Sequence, residues 1–241
     1  MQKENIRVRV PVYFFVFRIF SDPIRKSEKF DNHPHGKYNG IDSESSIRRN
    51  IYFMNKTQYK IRLANENDAQ AVHDIYGAYV PLDYITFTLD NPDVEYYRQK
   101  IILTLEDYPF LIAENNLGEV LGYVYGSRLR PHDAYQWNVE WTIVLSPDAP
   151  KRQGIASALY REFANILVKQ GYRYIYGVLV DTNEVSFAFH KSLGFEEVGH
   201  FANAGFKLGA WRGITWMVKE IGTFANEPQT PLKLSQVLHP D

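Results

Sequence analysis

Glu140 is the residue of this sequence whose type and setting best fit acid–base chemistry. It stands in a segment, 135–145, whose residues alternate with the period of a half-buried strand, with Trp141 on the opposite face. A carboxylate among apolar strand residues is costly to bury unless it is solvated or paired, and burial raises its pKa towards the value of a useful general base. A salt bridge to Arg128 or Arg130 at the strand edge is the structural alternative, and the residues alone favour neither.

A basic loop containing a glycine follows that strand and could bind an anion. Two prolines within 146–150 end the strand, and Lys151-Arg152-Gln153-Gly154-Ile155-Ala156-Ser157 leads into a run of apolar residues at helical spacing. A helix N-terminus offers unpaired N–H groups and the positive end of a dipole, and Gly154 and Ala156 leave room for a phosphate. An ordinary helix start is the alternative for this loop taken by itself.

The order of elements around these two features predicts an α/β (α+β) fold, with a mixed central sheet flanked by helices on both faces. From residue 58 the chain reads as a strand, a helix, an aromatic loop, a second helix and a hairpin of two antiparallel strands. After the basic loop and its helix come a strand at 172–180, a helix from about Asn183 to Leu193 and two closing strands. The strands at 135–145 and 172–180, joined by a helix, predict a parallel βαβ unit.

Composition divides the 241-residue chain into three parts. Residues 1–53 contain ten Lys and Arg against six Asp and Glu, and include turn-rich stretches without periodicity, so we expect a poorly ordered N-terminal extension. A basic tether is the functional alternative for it, and a further hypothesis places the native translation start at Met54. Residues 54–222 form the expected domain, and 223–241 form a C-terminal tail.

Composition also excludes several classes of chemistry. With zero cysteines, the chain has no disulfide framework, no thiolate metal site and no cysteine nucleophile. Its histidines show no metal-ligand spacing, so we expect no metal. A net charge of −1 gives no global argument for nucleic acid, and no apolar run approaches the ~20 residues of a membrane span. We expect a cytoplasmic protein with neither a nucleic acid nor a membrane as partner.

The loop and three further stretches resemble the GNAT N-acetyltransferases. In that family a strand is followed by Q/R-x-x-G-x-G/A, which stands here as Lys151-x-x-Gly154-x-Ala156, with lysine in the first position. The stretches AYQWNVEWT, NEVSFAFHKSLGF and AGFKLGAW are similar to the phosphinothricin and methionine sulfoximine acetyltransferase branch, and the resemblance covers about 59–221. It implies the GNAT fold, in which a parallel strand pair splays apart, and acetyl-CoA as co-substrate.

The resemblance also implies which residues hold acetyl-CoA. Amides of the loop would bind the pyrophosphate, and the acyl-pantetheine arm would lie in the cleft between the splayed strands. The cofactor-binding residues carried over in this way are Val144, Leu145, Arg152, Gln153, Gly154, Ile155, Ala156, Ser157, Asn183 and Ser186. Asn183 and Ser186 also suit helix caps, a role that needs no functional explanation.

Glu140 and His190 are the catalytic residues that the resemblance implies. The branch keeps a Glu at the position of Glu140, which would take the amine's proton through a water, while a backbone amide at 144–145 polarises the thioester carbonyl. His190 stands where many members of the family have a tyrosine acid for the departing thiolate, and imidazole could donate or relay a proton there. A helix histidine satisfied by a backbone carbonyl is the alternative.

The predicted acceptor is the primary amine of a small, amino-acid-like molecule of the phosphinothricin or methionine sulfoximine type. Phe87, Arg130 and Lys207 are the substrate-binding candidates, because an arginine can grip a carboxylate bidentately. Asn138 replaces the Thr that is usual in the branch, so the acceptor could differ. The alternatives are a protein N-terminus or lysine as acceptor, or a non-catalytic acyl-CoA sensor. The branch forms homodimers, and the resemblance implies one here.

Overall fold

The computed structural model describes residues 59–81, 84–223 and 227–238. The expected extension at 1–53 and the hypothetical start at Met54 lie outside these residues. Within them the chain forms a mixed sheet of seven strands with helices on both faces. The fold class predicted from the order of sequence elements is therefore confirmed.

The strands of this sheet lie in the order β1-β2-β3-β4-β5-β7-β6, and β4 with β5 is its parallel pair. Their bounds are β1 Tyr59–Leu63, β2 Phe110–Asn115, β3 Val120–Arg128, β4 Asn138–Leu145, β5 Tyr174–Val180, β6 Glu196–Lys207 and β7 Ala210–Glu220. The helices are α1 Ala69–Gly77, α2 Val94–Thr104, α3 Ile155–Gln170, α4 Glu184–Ser192 and α5 Leu234–Leu238. Short 3-10 turns occur at Glu66–Asp68 and Asp133–Tyr135.

The helix α3 joins β4 to β5 across one face of the sheet and completes the predicted parallel unit. Its apolar residues recur at helical spacing, and Leu159, Phe163 and Leu167 are completely buried against the sheet. The helix ends at Gly171, whose φ of 94° suits glycine and whose N–H donates to Leu167 O. The chain then turns directly into β5.

Strand alternation sends Glu140 and Trp141 to opposite faces of the sheet, which we name the Glu140 face and the Trp141 face. The helices α1 and α2 cover the Glu140 face, where α2 packs against Tyr125 of β3. The helices α3 and α4 cover the Trp141 face. There the Trp141 ring packs edge-on against Tyr160 of α3 and His190 of α4, at centroid distances of 5.4 and 5.2 Å.

The parallel strands β4 and β5 pair over a short stretch and then separate. Their last parallel partners are Glu140 and Tyr176. Beyond them β4 runs on to Leu145 while paired with β3, and β5 runs on to Val180 while paired with β7. The opening between them, which we call the strand gap, is the splayed pair that the resemblance implies.

Two regions are more ordered than their sequences indicate. The strands β6 and β7 are 12 and 11 residues long and form one hairpin that includes the stretch AGFKLGAW. Residues 227–238, within the predicted tail, contact the domain: Leu234 of α5 is 2% exposed, and Gln170 Nε2 donates to Leu232 O at 2.9 Å. The tail has too few apolar residues to form a clear periodic pattern, so the burial of Leu234 could not be predicted from the sequence.

Replacing Phe163 with alanine should strongly destabilise the fold, whereas replacing Leu117 with alanine should not. The Phe163 ring is completely buried beside Trp141, and Leu117 in the β2–β3 turn is 83% exposed. We expect Phe163→Ala to lower the free energy of unfolding by about 3–5 kcal/mol and Leu117→Ala by less than about 1 kcal/mol. Urea unfolding measures both, and equal losses would contradict the core described above.

Candidate active site

Glu140 lies where β4 and β5 separate, on the face covered by α1 and α2. Its position is fixed by its pairing partners, Ser127 on β3 and Tyr176 on β5. Glu140 is 3% exposed, and its Oε2 atom has no hydrogen-bond partner among the described residues. A buried polar atom without a partner is unfavourable in a folded protein, and a catalytic role is one explanation for such an atom.

The surroundings of Glu140 raise its pKa into the neutral range. Burial raises the pKa of Glu140 to about 7, because the apolar environment disfavours the carboxylate. The positive charges of Arg130 and Lys100 oppose this effect. A carboxyl group with this pKa is matched to accepting a proton near neutral pH.

Arg128 and Arg130 follow one another closely along the chain but have different partners. Arg128 pairs with Asp133 at the surface, with 2.5 Å between Nη2 and Oδ1. The guanidinium of Arg130 lies over the Trp216 ring, 5.1 Å from its centroid. Register places Trp216 on the Glu140 face, so Arg130 brings a cation to that face. Neither arginine forms a salt bridge with Glu140, so the strand-edge alternative is not found.

Lys100 of α2 brings a second cation to the Glu140 face. Its Nζ lies 4.4 Å from the centroid of the Tyr125 ring and 5.8 Å from that of Tyr96. Burial lowers the pKa of Lys100, while the nearby Tyr96 and the charge of Glu140 act in the opposite direction. The carboxyl of Glu140 is thus flanked by two cations, each stacked on an aromatic ring.

The loop between β4 and α3 forms one wall of a cavity of about 290 Å³. The helix begins at Ile155, after Arg152 with φ 58° and Gly154 with φ 74°. The first helical hydrogen bond from this end runs from Ala158 N to Gly154 O at 2.9 Å, and the N–H groups before it have no acceptor within the helix. This is the geometry of an anion-binding helix start.

The cavity brings together seven of the ten predicted cofactor-binding residues. They are Leu145, Arg152, Gln153, Gly154, Ile155, Ala156 and Ser157. Tyr79 also lines it, and its hydroxyl donates to Leu145 O at 2.8 Å. Because Ser146 N donates to Leu121 O on the β3 side, alternation directs the backbone N–H and C=O of Leu145 to the side of the strand gap. The residues present therefore fit a phosphate at the loop and an extended arm in the gap.

Val144, Asn183 and Ser186 are the predicted cofactor-binding residues outside the described lining of this cavity. Val144 is buried on the Glu140 face. Asn183 caps α4 by accepting a hydrogen bond from Ser186 N at 2.9 Å, and Ser186 Oγ lies 3.3 Å from His190 Nδ1. These contacts match the capping alternative, and cofactor binding stays a prediction for all three.

His190 reaches the strand gap from the Trp141 face, opposite the carboxyl of Glu140. It is 3% exposed, and its Nδ1 donates to Ser186 O at 2.8 Å. Burial lowers the pKa of His190 to about 4, so the imidazole is neutral near pH 7. Gly177 follows the last parallel partners, and its missing Cβ leaves room for His190 Nε2, which would lie 2.9 Å from such an atom. The structure brings His190 to the gap but not to Glu140.

Phe87 and Lys207 meet where the aromatic loop touches the β6–β7 hairpin. Lys207 is buried, and its Nζ donates to Thr86 O at 2.6 Å. The Phe87 ring packs against Gly205 of β6 so closely that a Cβ there would clash with it. These contacts tie the loop to the hairpin, and acceptor binding by Phe87 and Lys207 stays a prediction.

The described residues contain neither a metal-binding cluster nor a helix suited to span a membrane. No cluster of three or more His, Cys, Asp or Glu side chains in them is placed to hold a metal ion. None of their helices combines the length and apolar character needed to cross a membrane.

A parallel strand pair that opens beside a helix N-terminus, with a buried carboxyl at the opening, is the arrangement that the resemblance to the GNAT family implies. The acetyltransferase (GNAT) domain family matches residues 61–216, and the chain belongs to this family. It is therefore an acetyl-CoA-dependent N-acetyltransferase.

Known relatives confirm the resemblance to the phosphinothricin and methionine sulfoximine branch. The chain is 30% identical over 162 residues to a phosphinothricin N-acetyltransferase of Streptomyces coelicolor, covering 66% of this chain and 94% of that protein. It is 30% identical over 112 residues to an L-methionine sulfoximine/L-methionine sulfone acetyltransferase of Pseudomonas aeruginosa, covering 46% and 64%. The crystal structure of a phosphinothricin acetyltransferase from Sinorhizobium meliloti with acetyl-CoA matches with a TM-score of 0.67 and 30% identity, covering 71% and 94%.

Sequence reasoning missed Lys100 and Tyr79. Lys100 lies three residues after Tyr97 and directly before Ile101, both of which are buried, so it belongs to the inward side of the predicted helix. A lysine at such a position is a signal that could have been used. Tyr79 lies two residues after the end of α1, and nothing in the sequence distinguishes its hydroxyl.

Replacing Glu140 with glutamine should remove most of the turnover and also stabilise the fold at alkaline pH. Folding raises the pKa of Glu140 from 4.5 to about 7, so the stability contributed by its protonated form is lost as the pH rises through this window. We expect Glu140→Gln to be more stable than the wild type by up to about 3 kcal/mol at pH 8 and nearly equal to it below pH 4.5.

Urea unfolding at the two pH values measures this stability difference, and calorimetric titration should find acetyl-CoA affinity nearly unchanged. A variant that is no more stable than the wild type at pH 8 would contradict a buried, unpaired carboxylate at this position.

A Cβ added at Gly154 should weaken acetyl-CoA binding, and Gly118 provides a matched control. Both glycines have left-handed backbones, with φ of 74° and 84°, but Gly118 lies in the β2–β3 turn, away from the cavity. Each change to alanine should cost about 1–2 kcal/mol of stability, while the affinity for acetyl-CoA should fall about tenfold or more only in Gly154→Ala. Equal affinities in the two variants would argue against the loop as the phosphate site.

Proposed function

We propose that this enzyme transfers the acetyl group of acetyl-CoA to the primary amine of a small amino-acid-like acceptor, of the phosphinothricin or methionine sulfoximine type. The observation that carries the proposal is the buried carboxyl of Glu140 at the strand gap, with Arg130 over Trp216 on the same face. The relatives named above, which acetylate phosphinothricin or methionine sulfoximine, support this acceptor class.

Glu140 acts as the general base in this proposal. An amine with a pKa of roughly 8–10 is mostly protonated near neutral pH and cannot attack a carbonyl until it loses a proton. Glu140 Oε2 has no hydrogen-bond partner among the described residues and can accept that proton, directly or through a water. Its pKa of about 7 leaves a useful fraction of carboxylate at neutral pH.

The loop and the strand gap hold acetyl-CoA, which supplies the activated acetyl group and leaves as the free thiol. We assign the pyrophosphate to the N–H groups of residues 152–157, and the arm to the gap. The N–H of Leu145, on the side of the gap, is placed to polarise the thioester carbonyl as negative charge develops on its oxygen. Tyr79 holds this end of β4 through its hydrogen bond to Leu145 O.

His190 is assigned a subsidiary role on the sulfur side of the gap. Its Nδ1–H is committed to Ser186 O, which leaves Nε2 as a hydrogen-bond acceptor beside Gly177. We propose that Nε2 accepts the second proton released by the attacking nitrogen and passes it to the departing sulfur, while Glu140 takes the first. A pKa of about 4 makes this relay weaker than the base function of Glu140.

Arg130 is the proposed partner of the acceptor's carboxylate. Its guanidinium lies over Trp216 on the Glu140 face, where Nη1 donates to Leu129 O at 2.9 Å and the remaining N–H groups suit binding of a carboxylate. Phe87 and Lys207 are assigned to the neighbouring wall. Lys207 holds the aromatic loop against the β6–β7 hairpin through Thr86, so the two residues would shape the acceptor site.

We further propose that the enzyme is a cytoplasmic homodimer without a nucleic-acid or membrane partner. Support for the dimer comes from the edge strand β6 and the hairpin it forms with β7, which expose several large apolar side chains. These are Val198, Phe201, Phe206, Leu208 and Trp211. An apolar edge of this kind is typical of a surface that is covered by another chain.

Thiol release from acetyl-CoA against a panel of amines tests the proposed function. The panel contains methionine sulfoximine, phosphinothricin, common amino acids, polyamines and a peptide with a free N-terminus. The proposal expects the highest kcat/KM for the sulfoximine or phosphinothricin type, with acetyl found on the amine by mass spectrometry. Turnover restricted to peptides or polyamines would refute the acceptor class, and binding of acetyl-CoA without any turnover would favour a sensor.

Replacing Arg130 with methionine should raise the KM for such an acceptor, and Arg128→Met is the matched control. Loss of a charge-assisted contact with the acceptor's carboxylate corresponds to about 10–100-fold in kcat/KM, whereas Arg128 is engaged with Asp133 at the surface and should matter little. Steady-state kinetics with the best acceptor of the panel measures both variants. Equal effects in the two variants would remove Arg130 from the acceptor site.

A further inference from the structure

Glu140 lies between two cation–aromatic pairs on its face of the sheet. Lys100 lies over Tyr125 of β3, and Arg130 lies over Trp216 of β7. The strand order β3-β4-β5-β7 places Glu140 of β4 between the two rings. Its unpartnered Oε2 atom is therefore influenced by charge from both sides without a direct hydrogen bond.

The titratable groups that face Glu140 come from each element packed around it. They are Tyr76 of α1, Lys100 and Tyr96 of α2, Tyr125 of β3, Tyr176 of β5 and Arg130 of the loop after β3. Burial raises the pKa of both Tyr125 and Tyr176, which keeps these phenols uncharged near neutral pH. Lys100 and Arg130 are the two groups whose charges act on Glu140.

Acceptor binding affects the charges of Arg130 and Lys100 differently. Arg130 is exposed to solvent, and in the proposed function the acceptor's carboxylate neutralises it. Lys100 of α2 is half-buried against the Tyr125 ring, on the other side of Glu140 from Arg130. Its field reaches Glu140 through protein, where screening is weaker than in water.

We propose that Lys100 is a positioning residue that keeps Glu140 in its carboxylate form when both substrates are bound. The inference rests on the proposed function, because it takes Arg130 to be occupied by the acceptor. Lys100 acts through Glu140 and does not touch the reacting atoms. A base held in this way stays ready to accept the proton of the amine after the second cation is neutralised.

The experiment is the pH dependence of kcat, which reports the protonation of groups in the complex with substrates. Removing the charge of Lys100 lets the pKa of Glu140 rise further. The acid limb of the profile of kcat against pH, where activity falls as Glu140 is protonated, therefore moves to higher pH. We expect Lys100→Met to shift that limb upward by about one pH unit, and Lys100→Arg to leave it within about 0.3 unit of the wild type. At pH 9 the activity of Lys100→Met should return to within about twofold of the wild type.

Two controls separate this role from a structural one. Lys169→Met makes the same chemical change on the exposed side of α3 and should leave the limb unmoved. Urea unfolding and acetyl-CoA affinity establish that each variant is folded, and Lys100→Gln replaces Lys100→Met if the latter does not fold. The proposal would be overturned if the acid limb of Lys100→Met lay at the same pH as that of the wild type. It would also be overturned if the variant lost kcat by the same factor at every pH. Absence of turnover in the wild type with every amino-acid acceptor would instead refute the proposed function.

Discussion

β4 and β5 stop pairing after Glu140 and Tyr176, and the rest of the site depends on that interruption. Backbone groups left without a neighbouring strand must find other partners, because unpaired buried N–H and C=O groups are costly. Each strand keeps its outer neighbour, and Tyr79 donates to Leu145 O at the far end of β4. The gap therefore arises because each strand continues to pair with its outer neighbour, and in the proposed function it is available to an extended acyl arm.

The same interruption sets the electrostatics of the Glu140 carboxyl. Glu140 is the last β4 residue with a parallel partner and is buried under α1 and α2, so its charged form is disfavoured. Lys100 and Arg130 oppose that effect from two sides, each held over an aromatic ring. The result is a carboxyl with a pKa of about 7, as the base in the proposed function requires.

Much of this could be predicted from local patterns. Strand alternation placed Glu140 opposite Trp141, and the glycine-containing loop marked the start of α3, because both depend on residues close in sequence. The position of the Lys100 ammonium near Glu140 depends on how α2 is rotated about its own axis where it packs against Tyr125. This is a tertiary contact that the periodicity of the sequence does not specify. His190 was predicted from a motif, but its approach from the Trp141 face follows from the packing of α4. The docking of residues 227–238 likewise depends on contacts distant in sequence.

Infrared difference titration of the wild type against Glu140→Gln tests most directly whether Glu140 is a buried base. The variant removes one carboxyl group, so the difference between the two proteins isolates the titration of Glu140. The account predicts a protonated-carboxyl band in the wild type that disappears with a midpoint near pH 7 and is absent from the variant. A Glu140 signal that titrates with a midpoint near the ordinary glutamate value of about 4.3 would show a solvated carboxylate and contradict the account.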